Sequence, residues 1–292
     1  MKLTPLWSVI LVYQVITILL IAFCDVAYFK SGTFLISRLT IVMYLIFRFR
    51  LRADIFKKNR LLTDTLIIYV LLAYFYVETA HLNTFLFSKI DPLLAMADQW
   101  IFGYQPSVMF SAKFSHVLFS EWMFLGYFSY YLMPLIAFFA IWKYRRDKFE
   151  EFSFFILTAY FVYYLIFILL PAEGPQFFFP EPLNQISSQG VFSSLVKLIQ
   201  QNGEAPTAAF PSSHIGVTVI MLVLLFKYKS KLFKIYLPFA TTLLFSTVYI
   251  KAHYFIDVLA GLISAPLVLS FNKYIYQKLS FFSNRIINAD TD

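Results

Sequence analysis

Two short segments of this sequence place histidine in a setting suited to nucleophilic catalysis and proton transfer. Residues 210–216 read FPSSHIG, and residues 252–261 read AHYFIDVLAG. In the second segment Asp257 follows His253 by four residues, and residues four apart share one face of a helix. Asp257 is therefore predicted to accept a hydrogen bond from one ring nitrogen of His253, which fixes the tautomer and leaves the other nitrogen free to attack.

The first segment has the composition of an anion site at the start of a helix. Pro211 suits the first helical turn, where free backbone N–H groups and the helix dipole favour a negatively charged ligand. Ser212 and Ser213 are small enough to let a phosphate approach, and their hydroxyls can add donors. His214 falls in the same turn, so we expect phosphate-binding groups and a titratable imidazole side by side.

Membrane-spanning helices must position these segments, because the chain has too few polar groups to solvate itself in water. Of its 292 residues 60% are hydrophobic and 14% are charged, whereas a soluble domain has about 25% charged residues. We therefore predict an all-α, polytopic membrane bundle with no separate soluble domain. The net charge of +8 suits nucleic acid or an anionic membrane surface. The basic residues lie in short loops between apolar runs, so we expect a membrane and no nucleic acid.

The apolar runs predict about eight spans of the roughly 20 residues that a bilayer requires. The predicted spans are 6–27, 33–49, 61–80, 119–142, 152–171, 211–226, 235–252 and 256–272. We expect 1–60 to form an N-terminal helix pair with a basic cytoplasmic loop, 61–280 the catalytic membrane domain, and 281–292 a cytoplasmic tail. Arg38, inside the second span, is either an interface residue or a partner of Asp25.

The basic residues also predict the orientation of the bundle. Most of the Lys and Arg residues fall in four segments, 48–60, 143–148, 227–234 and 273–285. Cytoplasmic loops are enriched in these residues, so both termini are predicted to be cytoplasmic. The two histidine segments then share the extracytoplasmic face, although the histidines were not used to derive the orientation.

Two longer segments are expected on the outer side. Residues 81–118 combine apolar stretches with Asp, Pro and Gly, which favours interfacial helix lying on the membrane. Residues 172–210 are richer in Pro, Gln, Ser and Gly, which indicates a loop over the end of the bundle. His81 and His116 are expected to have ordinary interfacial roles, since no pair of histidines has zinc-type spacing.

The histidine segments resemble motifs of the type-2 phosphatidic acid phosphatase (PAP2) superfamily. Its P-S-G-H motif corresponds to 211–214, and its S-R-x5-H-x3-D motif to Ser246-Thr247, His253 and Asp257. The resemblance implies that His253 attacks phosphorus to form a phosphohistidine and that Asp257 supports it. It also implies that His214 protonates the leaving oxygen and later activates the acceptor, with no metal or cofactor. The third to eighth spans would then form the family's six-helix core, with two added N-terminal helices.

The sequence departs from these motifs in the positive charges that usually clamp the phosphate. The motif arginine is replaced by Thr247, and the K-x6-R-P motif is absent, since 170–176 reads LPAEGPQ. Lys251 either replaces the missing cation or extends to the membrane interface. Glu173 and Gln176 are candidates for contact with a lipid headgroup.

These departures make the sequence look more like the inositol phosphorylceramide synthase branch, which also lacks the arginine. The expected function is transfer or hydrolysis of a phosphate group on a phospholipid, a sphingolipid or an isoprenoid phosphate. The reaction is expected at the outer face of the membrane, and the expected membrane is the bacterial inner membrane. The acceptor is water in a lipid phosphatase, and a small alcohol or a lipid in a transferase. A transporter or scramblase is the alternative from a different class.

Overall fold

The computed structural model describes residues 4–23, 33–50, 59–186 and 190–289. These residues form helices and no strands, which confirms the predicted all-α fold. In chain order the helices are α1 (Pro5–Phe23), α2 (Thr33–Arg50), α3 (Arg60–Leu86), α4 (Asp91–Phe102), α5 (Pro106–Lys113), α6 (Val117–Tyr144), α7 (Phe149–Leu169), α8 (Pro175–Phe178), α9 (Val191–Gly203), α10 (Ser213–Lys227), α11 (Leu232–Tyr249) and α12 (Phe255–Ala289).

The described helices include five that are long and apolar enough to cross a membrane, namely α3, α6, α7, α11 and α12. Two shorter apolar helices coincide with α1 and α10. These seven lie where the sequence predicts spans, whereas α2, over the predicted second span, belongs to neither group. The chain is therefore a polytopic helical bundle of the membrane type.

Helix α7 lies at the centre of the bundle and packs against α1, α3, α6, α10 and α12. Its side chains from Phe152 to Phe161 are almost all buried, many of them aromatic. Aromatic edges meet aromatic faces here, as in the pairs Phe75–Phe161 and Phe138–Phe152. In lipid the hydrophobic effect contributes little to helix association, because the lipid tails are as apolar as the side chains. Close packing of the aromatic side chains is therefore a main source of the stability of the bundle.

The loops gather at two opposite ends of the bundle. At one end backbone hydrogen bonds join the loop after α3 to the loop after α7 (Ile90 N to Pro171 O, 2.9 Å) and that loop to the one after α11 (Gln176 N to Lys251 O, 2.9 Å). At the other end the Arg145 guanidinium donates to the carbonyl of Tyr228. The histidine loops thus share one end, and the basic loops after α6 and after α10 share the other, as the charge pattern requires; the membrane side that each end faces stays a prediction.

The two segments over the histidine end of the bundle contain more helix than was predicted from the sequence. Segment 81–118 contains α4 and α5, in keeping with interfacial helix. Segment 172–210 was predicted as a loop, and this is wrong, because it contains α8 and α9. The apolar residues of α9 recur at helical spacing (Phe192, Val196 and Ile199), a pattern hidden by the surrounding polar residues.

The N-terminal helices join the bundle through buried polar contacts. The Arg38 guanidinium on α2 is 2% exposed and pairs with Glu78 on α3 and with Gln14 on α1. Trp7 on α1 donates its indole N–H to Asp64 on α3 at 3.2 Å. Asp25, the partner considered from the sequence, lies outside the described residues.

The buried ion pair predicts a specific stability pattern. Arg38→Met leaves the Glu78 carboxylate buried without its charged partner, so the free energy of unfolding should fall by about 3–5 kcal/mol. The double variant Arg38→Met/Glu78→Leu should recover most of that loss, because no buried charge remains. Denaturant or thermal unfolding of the purified protein in one detergent measures both.

The exposed pair Lys227–Glu151, 2.9 Å apart with a Lys side chain that is 52% exposed, provides the control. Lys227→Met should change the free energy of unfolding by at most about 1 kcal/mol. Equal losses in Arg38→Met and Lys227→Met would contradict the role given to the buried pair.

Candidate active site

His214 lies in the first turn of α10, as predicted. Ser212 is the N-cap residue, and its hydroxyl accepts a hydrogen bond from Ile215 N at 3.4 Å. Pro211 therefore precedes the N-cap by one residue and lies outside the helix, which corrects its predicted place in the first turn. Ser213 is buried beside the hydroxyl of Tyr130, and the binding of phosphate by Ser212 and Ser213 stays a prediction.

His253 lies in the turn between α11 and α12, outside both helices. Its predicted position on one helical face with Asp257 is wrong, because α12 begins only at Phe255. The Asp257 carboxylate instead accepts from Tyr254 N at 2.8 Å, reaching back to the start of its own helix in the manner of a capping box. Its Oδ2 lies 3.5 Å from His253 Nδ1, close enough to act through its charge.

The hydrogen bond of the His253 imidazole goes to a backbone carbonyl. His253 Nδ1 lies 2.7 Å from Ala209 O, in the stretch just before α10. A carbonyl oxygen can only accept, so Nδ1 carries the proton and Nε2 of the neutral ring has the free lone pair. The sequence predicted that one ring nitrogen would donate and the other stay free, without saying which, and its predicted acceptor, Asp257, is replaced by the Ala209 carbonyl.

The two catalytic candidates touch each other. His253 Nε2 lies 3.1 Å from His214 Nδ1, although 39 residues separate them in the sequence. Since His253 Nε2 has the lone pair, His214 Nδ1 is the donor. A nucleophilic nitrogen and a proton donor thus face each other. A phosphate ester that binds between them would have its phosphorus next to His253 Nε2 and its leaving oxygen next to His214 Nδ1.

Close backbone contact between the starts of α10 and α12 brings the histidines together. Ser212 N donates to Asp257 O at 3.1 Å. Gly261 lies so near that a Cβ there would come within 2.6 Å of Ser212 O. Glycine at this position therefore permits the approach of the two helices that the site requires.

Two tyrosines pack against His214 and a glutamate binds one of them, and none of the three was predicted from the sequence. The Tyr127 and Tyr130 rings of α6 pack against the imidazole with centroids 5.0 and 4.3 Å away. Tyr127 donates its hydroxyl to Glu204 at 2.8 Å. With 20 tyrosines in the chain, no sequence signal distinguishes these two, and Glu204 follows a helix that was predicted as loop.

Lys251 is buried and does not extend to an exposed position. Its Nζ donates to Ser107 O at 3.0 Å and to Ser111 Oγ at 2.7 Å, both on α5. Burial lowers the pKa of Lys251 to about 8, so the side chain is mostly a cation at neutral pH. No carboxylate among the described residues pairs with it.

Two of the remaining candidates follow α7, with Glu173 in the loop and Gln176 on α8. Glu173 pairs with Lys89, and the Gln176 amide donates to Glu204 at 2.7 Å. Thr247, at the position of the motif arginine, is buried, and its carbonyl accepts from His253 N at 3.1 Å. The side chains of Glu173 and Gln176 are thus engaged by Lys89 and Glu204, and contact with a headgroup stays a prediction.

The other two histidines lie on different helices. His116 is the N-cap residue of α6, where its Nδ1 accepts from Leu118 N at 3.3 Å, and His81 is part of α3. Within the described ranges no group of three or more His, Cys, Asp or Glu side chains is placed to hold a metal ion.

Comparison with known proteins gives one match. The model of a protein family described as the PAP2 superfamily matches residues 92–271, which include α4 to α11, most of the apolar part of α12 and both histidine segments. Comparisons with curated proteins and with solved structures found no match.

The environment of His253 predicts that activity falls on the acid side of the pH–rate profile only at unusually low pH. Burial disfavours the imidazolium, which lowers the pKa of His253 from 6.5 to about 4. A nucleophile must be neutral, and lowering the pKa keeps it neutral as the pH falls through 6.5. The acid limb of kcat/KM, which reports the free enzyme, should therefore lie near pH 4. A limb at pH 6 to 7, with circular dichroism unchanged over that range, would contradict this environment.

Proposed function

The chain belongs to the PAP2 superfamily, and we propose that it is a lipid phosphotransferase or phosphatase that works through a phosphohistidine on His253. The observation that supports this proposal best is the 3.1 Å contact between His253 Nε2 and His214 Nδ1. One nitrogen has the free lone pair and the other a proton, the two groups that an in-line displacement at phosphorus needs.

The reaction proceeds in two balanced steps. In the first, His253 Nε2 forms a bond to phosphorus, the bond from phosphorus to the leaving oxygen breaks, and His214, in its imidazolium form, gives its Nδ1 proton to that oxygen and becomes neutral. In the second, His214 takes a proton from the acceptor hydroxyl, whose oxygen attacks phosphorus and breaks the P–N bond. The Ala209 carbonyl and the Asp257 carboxylate, 2.7 and 3.5 Å from His253 Nδ1, stabilise the positive charge on the ring.

The missing cation clamp favours a phosphodiester as substrate. A monoester carries up to two negative charges and a diester one, and Lys251 supplies a single buried cation next to the His253 turn. We therefore propose transfer of the inositol phosphorylceramide synthase kind, from a membrane lipid to an alcohol or lipid acceptor. The alternative is hydrolysis of a lipid phosphate, such as phosphatidate or a polyprenyl pyrophosphate, with water as acceptor.

A transporter or scramblase is the alternative from another class. The buried Arg38–Glu78 pair is the kind of polar feature that such a pathway contains. A phosphorylated histidine distinguishes the classes, because a transporter forms no covalent bond to phosphate.

Substrates with different leaving groups should separate the roles of the two histidines. His253→Ala should abolish turnover and covalent labelling with every substrate, because no P–N bond can form. His214→Ala should cost about 10² to 10⁴ in kcat with a lipid substrate, the usual value of general acid catalysis. That loss should shrink with a nitrophenyl phosphodiester, whose leaving oxygen needs no proton.

Acid-quenched labelling with a phosphorus-labelled substrate, and the steady-state rate with each substrate, measure these effects. The two roles would have to be exchanged if His253→Ala recovered on the activated ester while His214→Ala did not. Labelling of neither histidine in the active wild-type enzyme would contradict covalent catalysis.

The proposed extracytoplasmic site predicts a labelling pattern in intact cells. Gln201→Cys, at an exposed position near the end of α9, should react with an impermeant maleimide. Lys143→Cys, at the opposite end of the bundle, should react only after the membrane is opened. Both are made in a Cys24→Ser background, since Cys24 is the one native cysteine. The reverse pattern would invert the topology.

A further inference from the structure

Helix α4 has its polar and apolar faces inverted relative to a helix on a water-soluble protein. Its exposed face is apolar and its buried face contains two aspartates. The exposed residues include Leu93, Met96, Trp100 and Ile101, and the buried residues are Asp91, Leu94, Ala95 and Asp98. A carboxylate is costly to bury unless hydrogen bonds satisfy its oxygens, so the partners of the two aspartates reveal what the helix does.

Asp98 caps the helix that follows the proposed nucleophile. Its Oδ2 accepts from Phe255 N at 2.8 Å and its Oδ1 accepts from Ile256 N at 2.9 Å. These are the first two N–H groups of α12, which have no partner within their own helix. Asp98 therefore fixes the point at which α12 begins, two residues after His253, although Asp98 and Phe255 are 157 positions apart in the sequence.

Asp91 holds the same turn from a second direction. Its carboxylate accepts from Glu173 N and Gly174 N, at 3.0 and 2.9 Å, and from the Tyr254 hydroxyl at 3.1 Å. The two aspartates of α4 thus bind residues 254, 255 and 256 and the neighbouring loop after α7.

Every backbone N–H from His253 to Ile256 has a defined acceptor. His253 N donates to Thr247 O and Tyr254 N to Asp257. The next two N–H groups donate to Asp98. Of these acceptors Asp98 is the one that comes from outside the two helices joined by the turn, so among the backbone contacts it is the one that ties the turn to α4.

We propose that Asp98, assisted by Asp91, is a positioning residue that holds His253 Nε2 in line with His214 and the phosphorus. This inference rests on the proposed role of His253 as nucleophile. Asp98 touches no reacting atom and acts by fixing the turn that carries the imidazole, so it should affect the chemical step and leave substrate binding largely intact.

The test compares Asp98→Ala and Asp98→Asn with the wild-type enzyme. Displacing a reacting group by about 1 Å costs about 10²-fold in rate, so Asp98→Ala should lose about 10²-fold in kcat with little change in KM. Asn has one acceptor oxygen in place of two, so Asp98→Asn should fall between Asp98→Ala and wild type. Because the defect is in nucleophile placement, both losses should persist with the nitrophenyl ester, unlike the loss in His214→Ala.

Glu121 on α6 offers a matched control. Its carboxylate caps α9 in the same way, accepting from Phe192 N at 2.8 Å and from Ser193 N at 3.0 Å. Glu121→Ala removes an equivalent cap from a different helix and should keep kcat near wild type. Equal losses of kcat in Glu121→Ala and Asp98→Ala would show a general effect of losing a cap and would overturn the proposal.

Two further outcomes are decisive. Wild-type kcat in Asp98→Ala overturns the positioning role; if that variant does not fold, wild-type kcat in Asp98→Asn overturns it instead. His253→Ala, assayed in parallel, separates the two proposals. If it is inactive while the Asp98 variants are normal, only the positioning role fails; if it is active, the proposed function fails and the positioning role fails with it.

Discussion

The carbonyl oxygen of Ala209 decides which nitrogen of His253 carries a proton, because a carbonyl can only accept a hydrogen bond. The lone pair on Nε2, the direction of the hydrogen bond with His214 and the order of events at phosphorus all depend on that contact. Ala209 is itself fixed by the bond from its N–H to Ala172 O at 3.1 Å. The chemistry of an imidazole is thus set by the path of the backbone around it, with the Asp257 carboxylate as an electrostatic neighbour.

The location of this site follows from the requirements of a chain in lipid. Within the bilayer, backbone polar groups must be satisfied inside each helix, so free N–H groups occur only at helix ends. The starts of α10 and α12, whose first N–H groups have no partner in their own helix, lie at the same end of the bundle, and the interior of α7 is packed with apolar side chains. The polar groups of the site are thereby gathered at one end, and the interior is left to helix packing.

Much of this arrangement could be predicted from the sequence, and the exceptions have a physical pattern. Apolar length predicted the spanning helices, and residue type and spacing predicted that His214, His253 and Asp257 belong together. Contacts that depend on the first residue of a helix were not predicted. Because α12 begins at Phe255, His253 lies outside the helix, and the acceptor of its Nδ1 hydrogen bond is Ala209 O and not Asp257.

Contacts between distant parts of the chain were missed as well. Glu78 as the partner of Arg38, and Glu204 beside Tyr127, follow from tertiary packing that no local spacing encodes. The four buried residues of α4 recur at helical spacing, but two of them are aspartates, so an analysis of apolar periodicity does not recognise the face as buried.

The exposed face of α4, with Trp100 88% exposed, has a consequence for the environment in which the enzyme works. The sequence predicts that α4 is an interfacial helix, and helices of that kind respond to the lateral pressure and curvature of the lipid around them. The two carboxylates on its other face connect it to the His253 turn without an intervening flexible segment. We therefore expect the turnover rate to depend on the packing of the surrounding bilayer even at constant substrate concentration, so that the membrane acts on the enzyme both as its solvent and as a mechanical input.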